Sequence, residues 1–171
     1  MNKKNKVLFI MHMPPPVHGA AMMGQYIHDS KLINESFECR YINPSASASV
    51  DEVGKMGFKK ILRTMKVVWK IFKTCIVWRP DLVYLTPTNY GRWYSGSLYL
   101  NVAYVLAVKL TARKIVYHMH NKGVEASLNV QPSLKVYYKW MYKNVKVILL
   151  AKALYHELRD FVSEKDLYIC P

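Results

Sequence analysis

The chain has 171 residues, 51% of them apolar, which excludes a disordered tail and allows a sizeable core. Its 25 lysines and arginines stand against 11 acids, a formal net charge of +14, so an anionic partner is favoured: nucleic acid, a phosphate-rich ligand or an acidic membrane face. Cys39, Cys75 and Cys170 have no metal-ligand spacing and cannot all pair within one molecule; they are expected as reduced thiols of a cytoplasmic protein.

The chain opens on a basic stretch and then "KVLFIMH" (6–12), a buried-strand run. This start imitates a signal peptide, but its apolar run over 7–11 is shorter than the ~7–15 residues such a core needs. Pro14, Pro15 and Pro16 end it with a stiff bend that lacks backbone donors. His18, Gly19 and Ala20 follow, and a helix is expected from 19 to about 33. Gly19 offers conformational freedom and close backbone approach, and the first-turn N–H groups would suit a phosphate. Neither a G-x-G-x-x-G nor a Lys-Ser/Thr phosphate loop is present.

"FECRYIN" (37–43) reads as a second strand, and 45–51 as a Ser/Ala-rich loop. A long amphipathic helix is predicted over 58–78, broken by Arg79-Pro80. "DLVYLTP" (81–87) is a third strand and 95–110 an apolar helix. "KIVYHMH" (114–120) is a fourth strand, 121–131 a loop, and Pro132 fits the first turn of a helix reaching about 143. "VKVILLA" (145–151) is a fifth strand, 153–162 a short helix, and "DLYICP" (166–171) a sixth strand. No stretch reaches the ~18 uncharged apolar residues of a membrane span.

This alternation predicts an α/β fold: a Rossmann-like parallel sheet of about six or seven strands with helices on both faces, in a single domain over 1–171. Ligands of such sheets bind beyond the carboxyl ends of the strands. That rule selects the loops at 12–24, 87–93 and 118–122, and the segment after Ala151. His118 and His120 lie two apart on a strand, so both point to one side at that edge. They fit a metal pair or a hydrogen-bonded polar rim; no third or fourth ligand stands at a matching spacing, and no metal is expected.

Taken together, "KVLFIMHMPPPVHGAA", "YHMHNKG" and the terminal "LYICP" resemble the N-terminal domain of a GT-B fold glycosyltransferase of the retaining family four. The resemblance covers essentially the whole chain and half of such an enzyme. It implies an acceptor-side domain of a fragment whose C-terminal, nucleotide-sugar-binding domain is absent, and which alone transfers no sugar. It implies His120 as the active-site histidine, with Asn121 and Lys122 near the acceptor and His118 beside them. His18, Gly19 and Ala20 then stand where the first loop meets its helix; family members often carry paired glycines there. The implied partners are a nucleotide-sugar donor and a lipid-linked or polysaccharide acceptor, with no cofactor or metal. Alternatives from other classes are a non-catalytic Rossmann-like nucleotide-binding module and a basic peripheral-membrane adaptor.

Within 58–78, Lys59, Arg63, Lys66, Lys70 and Lys73 recur every three or four residues and share a face. Ile61, Leu62, Met65, Val68, Trp69, Phe72 and Ile76 fall on the other side and are expected in the core. Lys135, Lys139 and Lys143 form a second basic stripe beside Tyr137, Tyr138 and Trp140. Solvated helix faces account for the apolar sides but not for the scarcity of acids. The expectation is electrostatic docking on an anionic membrane at its inner face. Nucleic acid is not expected, because no DNA- or RNA-binding signature accompanies the charge.

Overall fold

A computed structural model describes residues 3–44, 58–89, 91–93 and 96–170 of the chain. Six strands form one sheet: β1 (Lys6–Ile10), β2 (Glu38–Ile42), β3 (Leu82–Leu85), β4 (Ile115–Met119), β5 (Lys146–Leu149) and β6 (Leu167–Ile169). Their order is β2-β1-β3-β4-β5-β6, and every neighbouring pair is parallel. Parallel strands covered on both faces need near-continuous apolar runs, which is how "KVLFI" and "KVIL" read. The helices are α1 (Gly19–Asp29), α2 (Lys31–Ser36), α3 (Phe58–Trp78), α4 (Gly96–Thr111), α5 (Val124–Val130) and α6 (Leu134–Tyr142). The fold is Rossmann-like, as the alternation predicts.

The period of two along each strand sorts the core. Leu8, Ile10, Val83, Leu85, Tyr117 and Leu149 pack on the face covered by α3, α4 and α6. Val7, Phe9, Met11 and Tyr84 form a smaller cluster on the other face, under Ile27 of α1 and Ile33 of α2. Trp78 closes the large core at the amino end of the sheet; its indole donates to Glu38 Oε1 at 3.0 Å.

Several elements differ from expectation for local reasons. The helix expected over 19–33 is two helices, because Ser30 leaves helical geometry and its Oγ accepts from the Ile33 N–H at 3.4 Å. The loop expected over 121–131 contains α5. Gly123, at φ 144°, permits the turn, and the Glu157 carboxylate accepts from the Gly123 and Val124 N–H groups at 2.7 and 2.9 Å. The helix expected over 153–162 is a 3₁₀ turn, Lys152–Glu157. The segment 45–51 lies outside the described residues.

The apolar side of α3 departs most from expectation. Among its described side chains Thr64, Ile71, Cys75 and Trp78 are buried, with Val67 and Val68 packed beside them. Ile61, Leu62, Met65, Trp69 and Ile76, expected in the core, are exposed. Helical phase gives the reason: Leu62, Met65, Trp69 and Ile76 lie on an arc beside the one that carries Thr64, Ile71 and Cys75 into the core, and the sheet covers only one of the two. No helix among the described residues is long and apolar enough to cross a membrane.

Candidate functional site

Strand order reverses between β1 and β3: β1 leads leftward to β2, and every later connection runs rightward. The connections leaving β1 and β3 therefore part and open a crevice at the carboxyl edge, the place where ligands of open α/β sheets bind. A cleft of about 490 Å³ lies there, lined by His12, Gly19, Ala20, Met23, Thr86, Pro87, Thr88, His120, Asn121 and Leu150. Its size falls in the range of small-molecule sites. None of these ten residues is Lys, Arg, Asp or Glu.

Each wall has an identifiable support. His12 follows β1, and Met11 is tied to β2 by its N–H on Ile42 O at 3.2 Å. Gly24 lets α1 sit against this strand end: a Cβ there would lie 2.0 Å from His12 O. Asn43 Nδ2 holds the proline bend through Met13 O at 2.8 Å. Beyond β3, buried Asn101 clamps Thr88, accepting from its N–H at 3.1 Å and donating to its carbonyl at 3.2 Å. Buried Asn89 joins this loop to β4's exit by donating to Asn121 O at 2.9 Å. Tyr138 and Tyr142 of α6 in turn donate to Asn89 O and Oδ1, both at 2.5 Å. The cleft wall is thus anchored by a buried, mutually satisfied polar network, which fixes geometry better than apolar packing alone.

His118 and His120 do point to one side of β4; their rings lie 4.2 Å apart. Only His120 lines the cleft. His118 is 5% exposed and sits beneath it, its Nδ1 hydrogen-bonded to the Tyr84 hydroxyl on neighbouring β3. Burial pushes the Tyr84 phenol up, so it keeps its proton in this contact. His118 Nε2, the other ring nitrogen, is buried without a partner among the described residues. Thr86 Oγ1, in the cleft lining, is likewise buried without one.

Burial holds the imidazoles neutral. Desolvation brings His118 down to about 4, with neighbouring His120 adding to it. His12 falls to about 4 through burial, then through His18 and His120. His120 is lowered by burial as well. Neutral rings accept as well as donate hydrogen bonds.

The other expected residues are placed as follows. Gly19 and Ala20 line the cleft at the start of α1 and supply N–H groups that lack an intrahelical acceptor. Gly19 owes nothing to a left-handed backbone, since the positive-φ glycine among the described residues is Gly123; a Cβ on Gly19 would meet open space. His18 is exposed and caps α1, its Nδ1 accepting from the Ala21 N–H at 3.3 Å, with its ring 5.9 Å from His12. Asn121 lines the cleft, whereas exposed Lys122 does not. Arg63, Lys66, Lys70 and Lys73 are exposed along α3, away from the cleft; the side chain of Lys59 lies outside the described residues. Sequence reasoning passed over Tyr84 and Thr86. Their signal was positional: both stand at the carboxyl end of β3, beside the switch point.

The four histidines form no compact ligand set. Among the described residues, the three-residue group close enough to share an ion is Glu125, His156 and Glu157, near α5. Glu157 there is occupied in capping α5. Comparison with known proteins finds no family model and no curated relative that matches this chain.

Proposed function

We propose that the chain is the acceptor-side domain of a retaining glycosyltransferase, moving a sugar from a nucleotide-sugar donor to a hydroxyl of a lipid-linked or polysaccharide acceptor. The observation that carries this reading is a switch-point cleft whose described lining sets His12, His120, Asn121 and Thr88 among apolar residues and includes no formally charged side chain. Neutral imidazole and amide groups beside apolar walls suit the hydroxyls and ring faces of a sugar, while the first-turn N–H groups of Gly19 and Ala20 can meet one phosphate of the donor. His120, neutral at the cleft wall, accepts a hydrogen bond from a sugar hydroxyl near the reacting carbon. The donor's diphosphate is neutralised by a second, nucleotide-sugar-binding domain, so this chain alone transfers no sugar. The enzyme works in the cytoplasm, peripherally at the inner face of the membrane.

The test uses His120. With the donor-binding domain supplied, His120→Ala lowers transfer at least ~100-fold while leaving the fold intact, the scale of losing a well-placed polar contact. A folded variant as fast as wild type removes His120 from the site. Turnover of a nucleotide-sugar panel by the purified chain alone overturns the division into two domains.

A further inference from the structure

On a helix of 3.6 residues per turn the surface of α3 divides into three adjoining arcs. Thr64, Ile71 and Cys75 face the core. Next come Leu62, Met65, Trp69, Phe72 and Ile76, spaced alternately by three and four residues. Met65 is 62% and Trp69 65% exposed, and the Trp69 ring stacks on Phe72. Beyond them runs the cationic arc of Lys66, Lys70, Lys73 and Arg63, all exposed. The helix holds six cations and no acid. At its carboxyl end Phe72 and Ile76 join Leu110 of α4 in an open groove whose rim carries Arg79 and Arg113; Leu110 is 69% exposed.

A solvated helix over a core accounts for the cations but not for a second apolar stripe open to water. We propose that α3 lies in the interface of an anionic bilayer. The stripe from Leu62 to Ile76 enters the acyl boundary and the Lys/Arg arc engages lipid phosphates. The arrangement of arcs argues for this occupant. The apolar and cationic arcs together face away from the core, so the helix lies between domain and membrane. Lysine and arginine stems flank the apolar stripe and reach headgroups while covering it, as in amphipathic helices that lie on membranes. A second copy of the chain is a poor occupant: it would set one acid-free cationic helix against another. The inference takes up the membrane-face part of the reading above and replaces docking by charge alone with insertion. It stands on α3 and α4, so failure of sugar transfer leaves it untouched.

The experiment is co-sedimentation with phosphatidylglycerol-containing and with pure phosphatidylcholine vesicles, combined with quenching of tryptophan emission by lipids brominated along the acyl chain. The expected result is binding to the anionic vesicles, with a blue-shifted, bromolipid-quenched signal that disappears in Trp69→Phe. The triple variant Lys66→Gln, Lys70→Gln, Lys73→Gln binds at least ~10-fold more weakly, from the attraction each basic residue adds at an anionic surface. Leu62→Ser with Met65→Ser weakens binding with every charge in place. Circular dichroism and thermal unfolding establish that both variants fold. Equal binding to both vesicles, or binding to neither, overturns the proposal. Anionic binding without bromolipid quenching reduces the surface to charge docking and overturns insertion. A lipid-free dimer that buries Trp69 assigns the stripe to a second copy and also overturns it.

Discussion

The cleft keeps its polar groups neutral, whereas helix α3 holds its charges in solvent. The ten described residues that line the cleft of this +14 chain carry no formal charge, and burial holds its imidazoles unprotonated. Helix α3 carries six cations and no acid. A site that must bind hydroxyls gains from desolvated, fixed dipoles, because low dielectric strengthens each hydrogen bond. A surface that meets lipid phosphate gains from long, hydrated cations that adjust to it. Net charge therefore reports the exposed face of α3 and is silent about the cleft.

The sharpest division lies within α3 itself. Ile71, fully buried, should lose about 2–5 kcal/mol of stability as Ile71→Ala, because the removed atoms leave a cavity. Met65→Ser, two turns earlier on the exposed arc, should change stability by no more than about 0.5 kcal/mol. Chemical denaturation measures both. A large loss in Met65→Ser would put the apolar stripe back in the core and break the contrast.

The two glycines of the first loop and helix divide in the same way. Gly24→Ala places a Cβ 2.0 Å from His12 O, a backbone atom that cannot step aside. It should cost about 2–3 kcal/mol, the scale of overpacking, and displace His12 in the cleft wall. Gly19→Ala meets open space and should stay within about 0.5 kcal/mol. Equal effects in the two variants would mean that α1 does not rest on the end of β1.

The third expectation concerns pH. His12 and His118 titrate near 4 in the folded chain and near 6.5 when unfolded. Between those values the unfolded chain binds more protons, so stability is complete above about pH 6.5 and is lost as pH falls toward 4. Denaturation at pH 7 and pH 5 should differ by about 2 kcal/mol, discounting for the solvent that reaches the cleft. His118→Phe should shrink the difference, whereas changing the lysines of α3 should leave it intact. A pH-independent midpoint would place these rings in water.

Sequence alone determined the alternation of strands and helices, the parallel sheet and the edge at which its loops gather, because apolar period and helix-breaking residues are local properties. It determined that His118 and His120 share a side of β4, because the strand period of two is fixed by the pleat. Only the tertiary structure decided which of the two reaches the cleft. His118 lies deeper in the strand, where Tyr84 of the neighbouring strand meets it, and no spacing within one segment reveals a partner 34 residues away. The same holds for Asn89 and Asn101, whose role as clamps exists only once α6 and the loop beyond β3 meet. On α3 the sequence distinguished apolar from charged residues but not inside from outside. Two apolar arcs of similar chemistry compete for one sheet, and the winner is set by how the helix is rotated on it.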